Sequence, residues 1–336
     1  MSVISHITTY GITLKTPDPS RVLAIDHVTT LRRALARLGV PDPLGTDVLA
    51  FKRSVMDGVF DLLSGVIVDA PLAALTRDNY PGLKRFLKVE SGWRPWTTEP
   101  KWRLTTLLKS IHDWVERTRP DGLKLMIYFR PDAPHDVRSH QAALAAAVGE
   151  ISMEQGLEYC LEPCNYSLGA SDFGSPDADR VNALERPEVV IAQAHEFGRR
   201  EYHANVLKLD FPADLRYTSE FHRRSWSRQS ALYGLAHVRS WCREISDSLS
   251  IPWTIMSSGA SRSEFVECLR ISMAEGGSGY MCGQAIWSDA LKVFGDAEAV
   301  TGVVATTVRE NLKSLNQVVS NGTFPRAAEQ FGVACE

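Results

Sequence analysis

A lysine stands inside a run that otherwise reads as a buried strand, Asn205-Val206-Leu207-Lys208-Leu209-Asp210-Phe211-Pro212. An ammonium is expensive to desolvate, so a lysine there needs a partner or a purpose. Burial favours the neutral amine, and a neutral amine attacks carbonyl carbon, which is how Schiff-base enzymes use lysine. The alternative is a lysine that snorkels to solvent or pairs with a carboxylate. Asp26, Glu90 and Glu162 each fall at or near the end of a short apolar run, and Lys124 lies early in another, sharing a strand face with residues 126 and 128. Two inward lysines repel one another, which predicts a Lys208 that is partly neutral near pH 7. Glu162 has the chemistry of a general acid and base; Asp26 suits a substrate hydroxyl or the charge of Lys124. The competing reading for each is an ion pair that only holds the interior together. Two further runs end in small polar residues. Ser257-Ser258-Gly259-Ala260-Ser261 precedes a helical stretch, and Cys282-Gly283-Gln284 closes the last run. Small residues with free backbone N–H groups at a helix start cradle anions.

The elements that must carry these residues are eight apolar runs of strand length, at 22–26, 65–70, 85–90, 123–129, 157–164, 205–211, 253–258 and 278–284. Their apolarity is nearly continuous rather than alternating, as in parallel strands covered on both faces. Helical spacing is read over 29–38, 102–117, 140–154, 187–198 and 228–249. Strands alternating with helices predict a single (β/α)8 TIM barrel over residues 1–336, whose strand ends converge on one mouth. Two insertions follow strand ends. Segment 91–101 carries Trp93, Pro95, Trp96 and Pro100, and segment 167–186 is rich in Gly, Ser, Asp and Pro. Long loops on that face often act as lids, and clustered tryptophan is costly to leave exposed, which favours a role for the first.

Composition excludes more than it assigns. The 336 residues are 44% hydrophobic and 23% charged, with a net charge of -3. No basic footprint points to nucleic acid, no run is long enough to span a membrane, and residues 1–15 do not read as a signal peptide. The six cysteines (160, 164, 242, 268, 282, 335) lack paired CxxC spacing and read as reduced thiols, so the cytoplasm is expected. Asp132, His135, Asp136 and His140 raise the possibility of a metalloenzyme, but their spacing matches no strong ligand motif. No cofactor is expected.

Taken together, Leu23-Ala24-Ile25-Asp26, Lys88-Val89-Glu90-Ser91-Gly92, Lys124-Leu125-Met126-Ile127-Tyr128, Leu161-Glu162-Pro163, Val206-Leu207-Lys208-Leu209-Asp210-Phe211-Pro212, Ser257-Ser258-Gly259-Ala260-Ser261 and Cys282-Gly283-Gln284-Ala285-Ile286-Trp287 resemble the class I tagatose 1,6-bisphosphate aldolase family, which includes sulfosugar aldolases and transaldolases. The resemblance runs from about Val22 to about Trp287. It implies that Lys208 forms the Schiff base, that Glu162 is the acid/base, and that Lys124, Asp26 and Glu90 position substrate or tune the lysine. It further implies that Ser257, Ser258 and Gly259 form the loop that receives a C1 phosphate, and that the substrate is a sugar, sugar phosphate or sulfonate. A homo-oligomer is expected from the habit of such barrels, although no apolar stripe marks an interface.

Two departures bear on the substrate. The family usually reads Cys-Gly-Arg where this chain has Cys282-Gly283-Gln284, and an amide does not replace a planar cation on an oxyanion. After Asp26 the family continues Gln-Arg-Gly-Ser, whereas this chain reads His27-Val28-Thr29-Thr30. The ketone end of the substrate is therefore expected to lack phosphate, unless Arg94, Arg130, Arg216 or Arg262 supplies the missing charge. Two readings compete with an aldolase or transaldolase: a Schiff-base synthase on the same scaffold, and a catalytically idle regulator that binds sugar phosphates.

Overall fold

In a computed structural model, which describes residues 19–168, 176–228 and 230–322, all eight expected strands are present. The chain-order strands are β1 (Ser20–Ala24), β2 (Gly65–Val68), β3 (Lys84–Lys88), β4 (Glu90–Pro95), β5 (Arg103–Leu107), β6 (Gly122–Tyr128), β7 (Glu158–Cys164), β8 (Val206–Asp210), β9 (Trp253–Met256) and β10 (Gly279–Cys282). Eight of them close a parallel barrel in the order β1-β10-β9-β8-β7-β6-β3-β2, while β4 and β5 stand apart as an antiparallel pair. Helices fill the connections, so the architecture is a (β/α)8 TIM barrel.

Period-two alternation sorts the strand residues. Val22, Ala24, Ile67, Phe86, Cys160, Val206 and Met281 form a small apolar cluster inside the barrel. Their strand neighbours Leu23, Val66, Leu87, Leu161 and Leu207 belong to the large core between barrel and helices. Both sets are apolar, which is why the runs look continuous in the sequence. Two residues beyond an inward apolar residue lies an inward charge: Asp26 after Ala24, Glu162 after Cys160, Lys208 after Val206. The floor of the barrel is apolar and its mouth is ionic.

The expected helix over 102–117 is corrected. Residues Arg103–Leu107 form β5, which pairs antiparallel with β4, and only Ile111–Thr118 is helical. Trp102 and Leu104 are buried on one side, and the Thr105-Thr106 pair suits a pleated strand better than a helix. Ser110, with φ 55°, ends the hairpin in a left-handed turn. Segment 91–101 is thus mostly hairpin rather than loose loop. Gln141 Nε2 donates to Arg103 O at 2.9 Å and Tyr128 N to Thr105 Oγ1 at 3.2 Å, pinning the hairpin to the barrel as a wall. Part of segment 167–186 also differs from expectation: the helix Pro176–Phe197 begins inside it and contains Pro187, while residues 169–175 lie outside the described residues.

Candidate active site

Five charged side chains meet at the barrel mouth. Lys124 Nζ lies 2.7 Å from Glu90 Oε1, 2.7 Å from Glu162 Oε2 and 3.1 Å from Asp26 Oδ2. Lys208 Nζ lies 2.9 Å from the same Glu162 Oε2, so one carboxylate oxygen is shared by two amines. All five side chains are buried. Strand register explains the meeting: Met126 pairs with Glu162 across β6–β7, and Leu161 pairs with Leu207 across β7–β8, one residue short of Glu162 and Lys208. Glu90 also accepts from Met126 N at 2.9 Å, which fixes its carboxylate over β6.

Lys88 belongs to this group although it was not singled out in the sequence. Its Nζ is 3.4 Å from Asp26 O and 3.9 Å from Glu90 Oε1. With it, three carboxylates face three amines, which is how so much charge is tolerated here. The signal was available, since Lys88 precedes Glu90 by two positions and so shares its face.

The electrostatics correct one expectation. Burial and Lys124 both favour a neutral Lys208, but Glu162 and Asp26 outweigh them and hold it above the ordinary lysine range. Burial likewise opposes the charge on Lys124, yet Asp26, Glu162 and Glu90 raise it well above that range. Burial disfavours the Glu162 carboxylate, but Lys124 and Lys208 leave it below its usual value. Burial drives Glu90 upward against the pull of Lys124 and Lys88. Asp26, also opposed by burial, is held low chiefly by Lys124. Like-charge repulsion between the lysines is therefore real but subordinate to the pull of the carboxylates.

The remaining predicted residues line the same cavity of about 980 Å³. His27 sits beside Asp26, with Nδ1 3.8 Å from Oδ1 and no hydrogen-bond partner. Burial pushes its pKa down to about 4, so it is a neutral imidazole at pH 7, packed edge-on against Trp287 at 5.4 Å. Gly283 has no room for a side chain: a Cβ there would lie 2.3 Å from Ala24 O and 2.7 Å from His27 Cε1. Gln284 opens the helix Gln284–Leu291. Ser257, Ser258 and Gly259 form the wall beyond β9, where the Ser258 hydroxyl donates to Asp210 Oδ1 rather than standing free. Ser261 caps the helix Arg262–Ala274 by accepting from Glu264 N at 3.3 Å.

The four arginines expected to compensate turn elsewhere. Arg130 is bound by Asp132 and Glu185, Arg216 by Asp214 and Asp179, and Arg262 by Asn311; Arg94 is exposed on the hairpin. Asp132, His135, Asp136 and His140 do not converge either: Asp132 faces Arg130, His140 Nε2 contacts Thr105 O, and His135 and Asp136 are exposed. An arginine that does line the cavity, Arg103, was hidden inside the misread helix.

Comparison with known proteins agrees with the fold. Residues 119–289 match the DeoC/LacD family of aldolases. A tagatose 1,6-diphosphate aldolase 2 from Enterococcus faecalis is 26% identical over 309 residues, covering 89% of this chain and 88% of the relative. A tagatose 1,6-diphosphate aldolase from Listeria monocytogenes is 23% identical over 309 residues, covering 90% and 88%. A fructose-bisphosphate aldolase from Plasmodium falciparum, solved with TRAP and a small-molecule inhibitor, matches in fold with a TM-score of 0.63 at 14% identity over 90% of each chain. The chain belongs to the DeoC/LacD family of aldolases.

Proposed function

We propose that this protein is a metal-independent Schiff-base aldolase or transaldolase that cleaves the C3–C4 bond of a ketose and releases an aldehyde. The observation that carries the reading is the Glu162 oxygen shared between Lys208 and Lys124, at 2.9 and 2.7 Å. Lys208 rests as a cation and must lose a proton before it can attack. Glu162 is within reach to take that proton, and Lys124 keeps the buried site charged when Lys208 is neutral. The amine then adds to the ketone carbon. Glu162 returns the proton to the carbinolamine hydroxyl, which leaves as water, and the resulting iminium is the electron sink for C–C cleavage. The Glu162 carboxylate next removes the proton of the C4 hydroxyl as the C3–C4 bond breaks, and the bond's electron pair becomes an enamine. Protonation and hydrolysis of the enamine complete an aldolase cycle; its attack on a second aldehyde makes a transaldolase.

The donor fragment is read as dihydroxyacetone rather than its phosphate. Gln284 offers no cation where a C1 phosphate would sit, and Ser258 spends its hydroxyl on Asp210. Arg32, Arg33 and Arg37 reach the rim but are exposed, where a charge contact is worth little. Incubation with dihydroxyacetone or its phosphate, followed by borohydride and peptide mass mapping, tests both parts. The expected adduct is on Lys208, strong with dihydroxyacetone, weak with the phosphate, and absent in Lys208→Ala. An adduct on another lysine, or wild-type turnover by Lys208→Ala, would sink the mechanism. Equal or better trapping of the phosphate would overturn the reading of the donor end.

A further inference from the structure

The two oxygens of Glu162 stand in different surroundings. Oε2 lies 2.9 Å from Lys208 Nζ and 2.7 Å from Lys124 Nζ, yet it makes no aligned hydrogen bond, so it is held there by charge. Oε1 is turned the other way. Among the described residues its hydrogen-bond partner is the Cys164 thiol, whose Sγ lies 3.7 Å away. Cys164 follows Glu162 by two positions on β7, so the two side chains share a face. A donor to a carboxylate favours the charged form and fixes the way it points.

The thiol has the chemistry of a donor and not of a nucleophile. Its removal from water, then the charges of Glu162 and Asp210, hold it well above the ordinary thiol range. Asp210 stands four residues beyond Val206, as Cys164 stands four beyond Cys160, and those two residues pair across β7–β8. A thiolate at this position would face two carboxylates, and the thiolate is the form that attacks carbon or is oxidised. Asp210 takes a hydrogen bond from the Ser258 hydroxyl, while the thiol proton goes to Glu162. Glu162 lines the cavity and Cys164 does not, so the thiol can reach the reaction only through the carboxylate.

This arrangement bears on where a proton rides on Glu162. A carboxylic acid carries its proton on one oxygen. On Oε1 that proton would meet the S–H hydrogen and break the bond to Cys164. On Oε2 it leaves that bond intact and lies at the oxygen nearest Lys208. We infer that Cys164 is a positioning residue: by donating to Glu162 Oε1, its thiol directs the transferred proton to Oε2, the oxygen that serves Lys208. The thiol keeps its own proton throughout. Oε2 takes a proton from the Lys208 ammonium and gives it to the carbinolamine hydroxyl, which leaves as water. The inference deepens the Schiff-base reading above and rests on it for the path of the proton; the bond between thiol and carboxylate does not depend on it.

Two measurements separate the bond from its role. The infrared S–H stretch of Cys164 is the band that disappears in Cys164→Ala. In Glu162→Gln the acceptor loses its charge, so the bond weakens and that band should move to higher frequency. A band that stays in place overturns the proposal, because the thiol then donates elsewhere. The role is read from the rate of borohydride trapping of dihydroxyacetone on Lys208 across pH. Cys164→Ala is expected to slow trapping about 3- to 10-fold at saturating dihydroxyacetone, with half-saturation unchanged. That is the range of a weak hydrogen bond strengthened by the charge of its acceptor. Without its donor the Glu162 carboxyl is less acidic, so the acid limb of the profile should move to higher pH. Cys164→Ser, which restores a donor, should recover both the rate and the limb. A thiol that only fills space leaves the limb unmoved in Cys164→Ala, or leaves the Ala and Ser variants equally slow; either result overturns the proposal. A wild type that traps nothing on Lys208 overturns the Schiff-base reading and the proton path together, while the S–H band still reports on the bond.

Discussion

Glu162 has two duties that a single substitution pulls apart. It is the principal anion holding Lys208 protonated, and it is the group placed to shuttle protons. In Glu162→Gln, burial and Lys124 still push Lys208 toward the neutral amine, and the main opposing charge is gone. The pKa of Lys208 therefore falls. The pH profile of borohydride trapping should move to lower pH while turnover drops by about 100- to 10,000-fold, the worth of a lost acid/base. An unmoved profile with unchanged kcat would contradict both duties. Lys124 separates stability from chemistry in the same way. Lys124→Met leaves Asp26, Glu90 and Glu162 facing one another, and removing one partner of a buried ion cluster costs about 3–5 kcal/mol. With only Lys88 and Lys208 left to oppose burial and their mutual repulsion, these carboxyls are expected to rise in folded-state pKa, Glu90 furthest above its unfolded value. Such groups stabilise the fold below the unfolded pKa, and that stability is lost as pH rises through the folded value. The deficit against wild type, read from urea midpoints, should thus shrink from about pH 8 to about pH 5. Equal deficits at both would show that the carboxylates do not sense the loss.

The barrel strands were legible because each carries two apolar faces, and the mouth was legible because Asp26, Glu162 and Lys208 interrupt that pattern on the inward face. The β4–β5 hairpin was not. Trp102, Leu104 and Leu107 meet both a helical and a strand spacing over so short a stretch, and the partner strand that decides between them, with Pro95 opposite Arg103, is a tertiary fact. Misreading that element had a cost beyond a boundary error, since it hid Arg103, which packs against the rings of Trp93, Tyr128 and Tyr166. Four other arginines were noticed because they follow strands in the sequence, yet Arg130 and Arg216 are consumed by carboxylates two positions away. Sequence position shows which residues reach the mouth; it does not show which charges are already spent. The same blindness produced the expectation of a partly neutral Lys208, because the two carboxylates that reverse it, Asp26 just beyond β1 and Glu162 on β7, come from other strands.

Everything at the mouth depends on the barrel being closed, and the closing seam lies between the first and last strands, β1 and β10. Two glycines make it possible. Gly279 pairs with Ser20 at φ +116°, and a Cβ there would lie 2.1 Å from Ser20 O. Gly283 leaves the room in which Trp287 Nε1 donates to Ala24 O at 3.1 Å, a buried bond across 263 residues of chain. Gly279→Ala is expected to cost about 3 kcal/mol, from strain at positive φ and a clash with backbone that has no rotamer to escape into. For a chain of this size that lowers Tm by roughly 4 °C. Gly302→Ala is the counterpart. Gly302 sits in the helix Ala297–Val303 with nothing within 4 Å of a new Cβ, so the substitution should be neutral or stabilise by up to about 1 kcal/mol. Thermal unfolding of the two variants checks the contrast. A Gly279→Ala protein that melts with Gly302→Ala would mean that the seam is not under the steric constraint its geometry describes. If the contrast holds, the five charged groups should follow the seam: borohydride trapping on Lys208 in Gly279→Ala should match wild type well below its lowered Tm and vanish as the barrel opens, because no part of the cluster has its partners once the strands separate.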